Sequence, residues 1–259
     1  MKNMNKFNFI FDKTKKSQSL KKIILRKYKN HPVNKSDCII VSGGDGFMLN
    51  TLKKYARFKI PFYGINCGTF GFLMNRYNSR DIWKKVNKAK CIKINPLKLK
   101  IVKKNNSKKN LVAINEVSLF RQSRQTASVK LKVGNQTIIK KLIGDGVLIS
   151  TPAGSTAYNL SVHGPILSLN SGKLAITPIS PFRPRRWKGK IISNRSVVKV
   201  HNLDPLKRPI AAVADNAEVR SVKSLFIKVD TKIKLNLLYD KDRSLMNKIK
   251  IEQLRKNIK

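Results

Sequence analysis

The chain has 259 residues, which is enough for one large domain or two modest ones, each with its own core. Its hydrophobic fraction of 41% is typical of a globular protein and excludes a disordered chain. No apolar run approaches the ~20 residues that a membrane helix needs, and Phe7–Phe11 is too short for a signal-peptide core. We therefore expect a cytoplasmic protein with no membrane partner.

The charge is extreme, with 56 basic against 13 acidic residues and a formal net charge of +43. A field this positive attracts nucleotides, RNA and acidic membranes, so a nucleic-acid-binding protein is one candidate. The lysines, however, are scattered along the chain among asparagines and isoleucines, whereas a nucleic-acid surface clusters basic residues with aromatic ones. This scatter favours a compositional bias and argues against a specific nucleic-acid partner.

The three cysteines are Cys38, Cys67 and Cys91. Their number is odd and their spacing matches no paired metal-ligand motif. The sequence therefore predicts neither a disulfide scaffold nor a bound metal site.

The first ninety residues alternate between short apolar runs and segments with helical spacing. The predicted strands are Phe7–Phe11, Cys38–Val41 and Ile60–Ile65, and the predicted helices are Ser19–Lys29, Phe47–Phe58 and Asp81–Lys88. Repeated strand–turn–helix units indicate a parallel sheet with crossover helices. We expect an α/β domain over residues 1–95.

From about Pro96 the pattern changes to short alternating or β-branched segments. Predicted strands are Leu97–Val102, Leu111–Phe120, Ala127–Val133, Thr137–Leu142, Val147–Ser150, Ile191–Val200, Ile210–Ala214, Glu218–Val222, Leu225–Val229 and Ile233–Tyr239. Gly134-Asn135 between two of them indicates a two-residue hairpin. This spacing predicts an all-β, sandwich-like domain over residues 96–240. Within residues 241–259, Ser244–Lys256 is predicted to be a helix that packs back on the first domain.

The tetrapeptide Gly43-Gly44-Asp45-Gly46 follows the predicted strand Cys38–Val41, at the end where open α/β sheets bind ligands. Glycines at 43, 44 and 46 let the backbone approach a phosphate closely, and the next helix directs its positive N-terminus there. A carboxylate in this turn suits a kinase, where it accepts the proton of an attacking hydroxyl or organises Mg²⁺. The alternative is a plain tight turn with Asp45 as the helix N-cap.

A second segment, Gly144–Asn159, runs from an acidic turn through a strand into a loop rich in small and hydroxyl-bearing residues. It offers backbone donors, several hydroxyls and one aromatic ring, a set that suits a nucleoside. The alternative is a helix start that is capped by Ser155 or Thr156. Asp145 is the second aspartate between two glycines, and two of them on separate strands are hard to explain by turns alone.

Six motifs together resemble the ordered signature of the NAD kinase family, the bacterial ATP-NAD kinases. They are Gly43-Gly44-Asp45-Gly46, Asn66-x-Gly68-x-x-Gly71-Phe72-Leu73, Asn115-Glu116, Thr151-Pro152-Ala153-Gly154-Ser155-Thr156-Ala157-Tyr158, Asn159–Leu167 and Thr177–Pro181. The resemblance covers residues 37–182 in collinear order. The first motif is also found in lipid kinases and phosphofructokinases, whereas the fourth motif is not.

The resemblance implies an α/β N-terminal domain and a C-terminal β-sandwich, with NAD between them. In that family pattern Asp45 is the general base, Asn115 and Glu116 hold the adenosine part, and Asp145 contacts the nicotinamide half. The residues implied to line the NAD site are Asp45, Gly46, Asn115, Glu116, Asp145, Ala153, Thr156, Ala157, Tyr158, Asn159, Leu160 and Ser161.

The implied reaction is ATP-dependent phosphorylation of the 2′-hydroxyl of the adenosine ribose of NAD, which gives NADP. Mg²⁺ or another divalent cation accompanies ATP, and the family usually forms homodimers or homotetramers. A lipid or sphingoid-base kinase with the same glycine turn stays an alternative, as does a nucleic-acid-binding protein. Phe47 departs from the family, which often has threonine there, and the Asp215-Asn216 region resembles the family too loosely to be given a role.

Overall fold

The structure is a computed structural model that describes residues 3–69, 71–77 and 80–241. The described residues up to Ile94 form one compact unit together with those from Ile233 onward, and Asn95–Lys232 form a second compact unit. The helix predicted at Ser244–Lys256 lies outside the described residues. None of the helices in the described ranges is long and apolar enough to cross a membrane.

Strands and helices are numbered in chain order. The strands are β1 (Phe7–Phe11), β2 (Cys38–Gly43), β3 (Phe62–Asn66), β4 (Lys90–Ile94), β5 (Leu97–Lys103), β6 (Lys108–Ala113), β7 (Glu116–Arg121), β8 (Ala127–Val133), β9 (Gln136–Gly144), β10 (Gly146–Ser150), β11 (Lys173–Ile179), β12 (Lys190–Ser193), β13 (Val198–Asn202), β14 (Ile210–Ala214), β15 (Ala217–Val219), β16 (Val222–Val229) and β17 (Leu235–Tyr239). The α-helices are α1 (Lys15–Lys27), α2 (Asp45–Tyr55), α3 (Ile82–Lys88) and α4 (Tyr158–Ser161).

The first unit contains a five-stranded sheet in the order β1-β2-β3-β17-β4. β1, β2, β3 and β17 run parallel, and β4 pairs antiparallel with β17 at the edge. All six residues of β2 are buried, as expected for a parallel strand that is covered on both faces. The predicted α/β fold with a parallel sheet is confirmed, whereas the antiparallel edge strand β4 was not predicted.

The strand β17 corrects the predicted domain boundary. Its sequence position had placed Ile233–Tyr239 in the all-β domain, but its backbone pairs with β3 and β4 of the first sheet. Buried Leu235, Leu237 and Leu238 make it a core strand of that sheet. The chain therefore leaves the second unit at Lys232 and returns to the first.

The second unit contains two six-stranded antiparallel sheets, and its predicted sandwich character is confirmed. One sheet has the order β12-β11-β10-β7-β14-β15 and the other β6-β5-β16-β13-β8-β9. A single hydrophobic core contains side chains of both sheets, such as Leu99 from β5 and Ile149 from β10. The hairpin predicted at Gly134-Asn135 joins β8 to β9, with Val133 opposite Gln136 and Gly134 at φ +59°.

Three of the predicted strands, Leu111–Phe120, Ile191–Val200 and Glu218–Val222, are each divided between the two sheets. Leu111–Phe120 contains the end of β6 and nearly all of β7, and the chain changes sheets at Ile114 and Asn115. Ile191–Val200 is divided in the same way between β12 and β13. The apolar pattern continues through Ile114, so the sequence does not reveal the first crossing, whereas the polar runs Ser193-Asn194-Arg195-Ser196 and Arg220-Ser221 mark the other two.

Candidate active site

The glycine turn joins the buried strand β2 to helix α2 in the first unit. Gly44 is the N-cap of α2 with an extended backbone, and no side chain caps the helix. Asp45 is the first helical residue, so the N-cap alternative for Asp45 is wrong. The N-terminus of this 11-residue helix therefore lies at the turn, where the N–H groups of a first helical turn favour an anion.

The carboxylate of Asp45 is held by a second segment of the chain. Its Oδ2 accepts a hydrogen bond from the Phe72 N–H at 2.7 Å, and its Oδ1 accepts one from the Leu73 N–H at 3.1 Å. Gly71 allows this approach, because a Cβ there would lie 3.1 Å from Oδ1. These two hydrogen bonds fix the carboxylate in place. Each carboxylate oxygen has two lone pairs, so the group keeps the capacity to accept a proton.

Phe47 and Asp12 lie on either side of Gly43. A Cβ on Gly43 would come within 2.8 Å of both the Phe47 ring and the Asp12 carboxylate. The backbone at Gly43 is also tied to the next strand, because the Cys67 N–H donates to its carbonyl at 2.8 Å. The Phe47 ring thus occupies the space beside Gly43, and glycine is required at 43 for packing.

Asn115 and Glu116 lie where the chain enters β7 in the second unit. β7 is flanked by β10 and β14, and Glu116 lies opposite Ser150 at the end of β10. The Oδ1 atom of Asn115 is buried and has no hydrogen-bond partner within the protein. A buried acceptor without a partner costs about 1–3 kcal/mol, so this atom is a candidate for contact with a ligand.

The hydroxyl-rich loop after β10 is organised by its own side chains. The Ser155 hydroxyl donates to the Pro152 carbonyl at 2.8 Å and accepts from the Leu167 N–H at 3.0 Å. Ala157 is the N-cap of α4 and no side chain caps it, so a start capped by Ser155 or Thr156 is ruled out. The Thr156 Oγ1 atom is also buried without a hydrogen-bond partner in the protein. Like the Asn115 Oδ1 atom, it is a candidate for contact with a ligand.

Asn159 is held by hydrogen bonds within the loop. Its Oδ1 accepts from the Thr177 hydroxyl at 2.7 Å, and its Nδ2 donates to the Ser155 and Pro165 carbonyls at 3.3 and 2.9 Å. The residue is fully buried. Its side chain holds the loop together, and a contact between this residue and NAD stays a prediction.

Tyr158 lies near two acidic residues, Glu116 at the start of β7 and Asp145 just before β10. Its ring packs 5.8 Å from that of Phe120. Burial, followed by the charges of Asp145 and Glu116, raises the pKa of its phenol. β7 extends about 17 Å from Glu116 to Arg121 at about 3.4 Å per residue, which is the distance between the Glu116 end and the Asp145 end of the strand.

Asp145 lies between β9 and β10, beside the far end of β7. Arg121 donates through Nε to its carboxylate at 2.5 Å, and both side chains are 39% exposed. Arg121 was not predicted as a site residue, because one arginine among 56 basic residues carries no local signal. The pair presents both charges at the surface.

Ala153, Ala157, Leu160 and Ser161 lie in the same loop as Thr156 and Tyr158. Ala153 is buried, Ala157 and Leu160 are half-buried, and Ser161 is exposed. The second unit thus brings together the predicted residues from Asn115 to Ser161, while Gly43–Gly46 belong to the first unit. Asp215 was given no role from the sequence, yet its carboxylate contacts the backbone at Asn115.

Comparisons with known proteins cover almost the whole chain. Family profiles described as the ATP-NAD kinase N-terminal domain and the ATP-NAD kinase C-terminal domain match residues 1–88 and 114–235. The chain is 42% identical over 253 residues to the NAD kinase of Zymomonas mobilis, covering 97% of this chain and 98% of that protein. It is 45% identical over 228 residues to the NAD kinase of Rhizorhabdus wittichii, covering 87% and 89%.

Two solved structures have a similar fold. A yeast NADH kinase complexed with NADH has a TM-score of 0.76 at 22% identity, covering 90% of this chain and 71% of that one. An NAD kinase from Archaeoglobus fulgidus in complex with ATP has a TM-score of 0.75 at 21% identity, covering 95% and 98%.

A glycine turn with a fixed carboxylate at a helix N-terminus, and buried polar atoms without a protein partner at Asn115 and Thr156, are features expected of a kinase that acts on nucleotides. Both family profiles and the level of identity to curated relatives narrow that class further. The chain belongs to the ATP-NAD kinase family.

Proposed function

We propose that this protein is an NAD kinase that transfers the γ-phosphoryl group of ATP to the 2′-hydroxyl of the adenosine ribose of NAD. The observation that carries the proposal is the Asp45 carboxylate, which two backbone N–H groups hold at the open N-terminus of α2. A base must be held in this way to accept a proton at a defined position. The alternative lipid-kinase and nucleic-acid-binding functions have no support from the family match.

The glycine turn provides the phosphate-binding part. A methyl group added to Gly44 or Gly46 would meet no protein atom within 4 Å, so the backbone there is open to a ligand. Phosphate oxygens at this position would accept hydrogen bonds from backbone N–H groups and be attracted by the positive end of the α2 dipole. Gly43 is the last residue of β2, and the turn begins directly after it.

The second unit provides recognition of the dinucleotide. The unpaired Oδ1 of Asn115 and the unpaired hydroxyl of Thr156 are suited to the polar edge of the adenosine. Glu116 would accept hydrogen bonds from ribose hydroxyls, and Tyr158 would pack its ring against the ligand. Asp145, with Arg121, would face the nicotinamide half. Gly46, Ala153, Ala157, Leu160 and the exposed Ser161 would line the rest of the site.

The transfer is a single displacement at phosphorus. Asp45 accepts the proton of the 2′-hydroxyl as that oxygen forms its bond to the γ-phosphorus, while the bond to the bridging oxygen breaks and ADP leaves with the electron pair. The amide groups of the glycine turn stabilise the charge that develops on the phosphoryl oxygens.

Mg²⁺ is proposed to enter with ATP as part of the substrate. Among residues 3–69, 71–77 and 80–241, no group of three or more histidine, cysteine or acidic side chains forms a metal-binding cluster. Phosphate oxygens and water would therefore supply most of the ligands of the ion. When bound, Mg²⁺ would neutralise phosphate charge during transfer. We also propose that the enzyme is a cytoplasmic homodimer or homotetramer without a specific nucleic-acid partner.

Asp45→Asn tests the assignment of the base. We expect turnover in an NADP-formation assay to fall by a factor of roughly 10²–10⁴, the usual contribution of a general base, while NAD binding measured by calorimetry persists. Asp37→Asn is the matched control, because the Asp37 carboxylate also accepts two backbone N–H groups, from Asn5 and Lys6 at 2.9 Å each. An Asp45→Asn enzyme as active as Asp37→Asn would remove Asp45 from the mechanism. A wild-type protein that forms no NADP would overturn the proposed function.

A further inference from the structure

We propose that Asp215 is a positioning residue that fixes the backbone of Ile114–Glu116 and thereby directs the Asn115 side chain at the adenine of the substrate. This inference rests on the proposed function, because it assigns the adenosine to Asn115 and Glu116. The residue itself makes its contacts with the peptide chain, and its effect on the nucleotide passes through Asn115.

The carboxylate of Asp215 collects three consecutive N–H groups. Ile114 donates to Oδ2 at 2.8 Å, Asn115 donates to Oδ1 at 2.8 Å, and Glu116 donates to Oδ1 at 3.4 Å. The Asp215 N–H in turn donates to the Glu116 carbonyl at 3.2 Å. Four hydrogen bonds therefore join one turn residue to the segment that carries the proposed adenosine contacts.

The position of Asp215 in its own hairpin makes these contacts possible. It is the first residue of the two-residue turn between β14 and β15, where Ala214 lies opposite Ala217. Its φ of +53° is in the left-handed region, which aspartate tolerates better than most residues. Ala214 lies opposite Val117 of β7, so the turn projects just beyond the point where the pairing of the two strands ends.

The segment needs such a partner because it lies at a change of sheet. β6 belongs to one sheet and β7 to the other, so Ile114 and Asn115 have no place in either ladder. Buried backbone N–H groups must nevertheless be paired. A carboxylate has two acceptor oxygens with about four lone-pair sites, whereas an asparagine amide has one acceptor oxygen and two N–H donors that would face the backbone donors.

Thr151 holds the same segment from its carbonyl side. Its hydroxyl lies 2.8 Å from the Ile114 carbonyl and 2.9 Å from the Asn115 carbonyl, and its own N–H donates to the Asn115 carbonyl at 2.9 Å. A methyl group on Gly154 would overlap the Asn115 carbonyl oxygen. With the backbone fixed on both sides, the direction of the Asn115 side chain is determined, and its Oδ1 stays buried without a protein partner.

Asp215→Asn, compared with wild type, tests the inference. We expect the KM for NAD to rise roughly ten- to a hundredfold, the loss typical when an outer partner of a binding residue is removed, with a smaller change in the KM for ATP. The ratio of kcat/KM for NAD to that for deamino-NAD, in which the adenine amino group is replaced by oxygen, should fall toward one. Asp204→Asn is the control, because Asp204 also accepts a backbone N–H, from Lys207 at 3.0 Å, in a turn of the same unit.

The outcomes separate the two levels of the proposal. A wild-type enzyme that forms no NADP contradicts the proposed function itself. An active wild type with an Asp215→Asn variant that loses activity equally on NAD and deamino-NAD shows a purely structural residue and overturns the positioning role. If Asp215→Asn does not fold, Thr151→Val removes the hydroxyl on the opposite side of the segment. An unchanged NAD to deamino-NAD ratio in that variant likewise overturns the inference, and a reduced ratio supports it.

Discussion

The chain contains the tripeptide Gly-Asp-Gly twice, once in each unit, and the two copies have different structures. Gly44–Gly46 opens a helix, and the Asp45 carboxylate is bound by the backbone of another segment. Gly144–Gly146 connects two strands, and the Asp145 carboxylate is paired with Arg121 at the surface. One aspartate is fixed by neutral donors, whereas the other is fixed by a cation.

The glycines of the two copies are required for opposite reasons. Around Gly44 and Gly46 a methyl group would find open space, so protein packing does not require glycine there and the proposed phosphate site would supply the reason. A methyl group on Gly146 would overlap the Leu119 carbonyl, and one on Gly144 would lie 2.8 Å from the Ser180 carbonyl. There the requirement comes from the protein's own backbone. The same tripeptide is therefore a turn open to solvent, and proposed to bind phosphate, in one unit and a packing constraint in the other.

Gly146→Ala should have the largest effect. Gly146 lies opposite Phe120 in the central strand pair β7–β10, and the overlap with the Leu119 carbonyl leaves no room for the methyl group. We expect the second unit to lose at least about 4 kcal/mol of its free energy of unfolding, an exceptional value for one substitution. Urea unfolding followed by the fluorescence of Trp187, which packs against the core of this unit, measures the loss in a Trp83→Phe background. Near-normal stability would show that the β7–β10 pair can separate at no great cost.

Gly46→Ala should have the opposite profile, with stability maintained and activity lost. The residue is exposed in the first turn of α2 and its methyl group would meet no protein atom, so helix propensity predicts a gain of up to about 1 kcal/mol. The same methyl group would stand where phosphate approaches the turn, and we expect the KM for ATP to rise at least tenfold, which is about 1.4 kcal/mol of binding free energy. Unfolding followed by Trp83 fluorescence in a Trp187→Phe background gives the stability, and NADP formation gives the kinetics. Unchanged kinetics would mean that phosphate does not contact this part of the turn.

The sequence predicts local features of both copies well. A buried apolar strand followed by glycines and a helical pattern predicts the β2–α2 turn, because each part is decided by neighbouring residues. The sequence does not predict that the Phe72 and Leu73 N–H groups donate to the Asp45 carboxylate, because this depends on how a distant loop folds. The change of sheet at Ile114 and the role of Asp215 are hidden for the same reason, and so is the return of β17 to the first sheet.

A residue's assigned role is least predictable where hydrogen bonding within the loop decides it. Asn159 has the same motif context as Tyr158, but Thr177, Ser155 and Pro165 occupy its whole amide. Asn115 also carries an amide, yet its Oδ1 stays without a partner because its backbone is held by other groups. Both are asparagines in family motifs, and only the packing of distant segments separates a structural amide from one that is available to a ligand.

The smallest expected effect concerns the pKa of a tyrosine near each of the two aspartates. Burial and then the Asp45 charge raise the pKa of Tyr239, whereas burial and then the charges of Asp145 and Glu116 raise the pKa of Tyr158. Since a neighbouring negative charge opposes formation of the phenolate, Asp145→Asn should lower the pKa of Tyr158.

The ring ¹³Cζ shift of Tyr158, assigned with Tyr158→Phe, reports this ionisation as the pH is raised. Asp204→Asn removes one negative charge elsewhere in the same unit and should leave the Tyr158 titration where it is. An unchanged Tyr158 pKa in Asp145→Asn would mean that Arg121 already neutralises the Asp145 charge at the surface. The second Gly-Asp-Gly would then present no net field to a bound nucleotide, and its contribution to the site would be through hydrogen bonds alone.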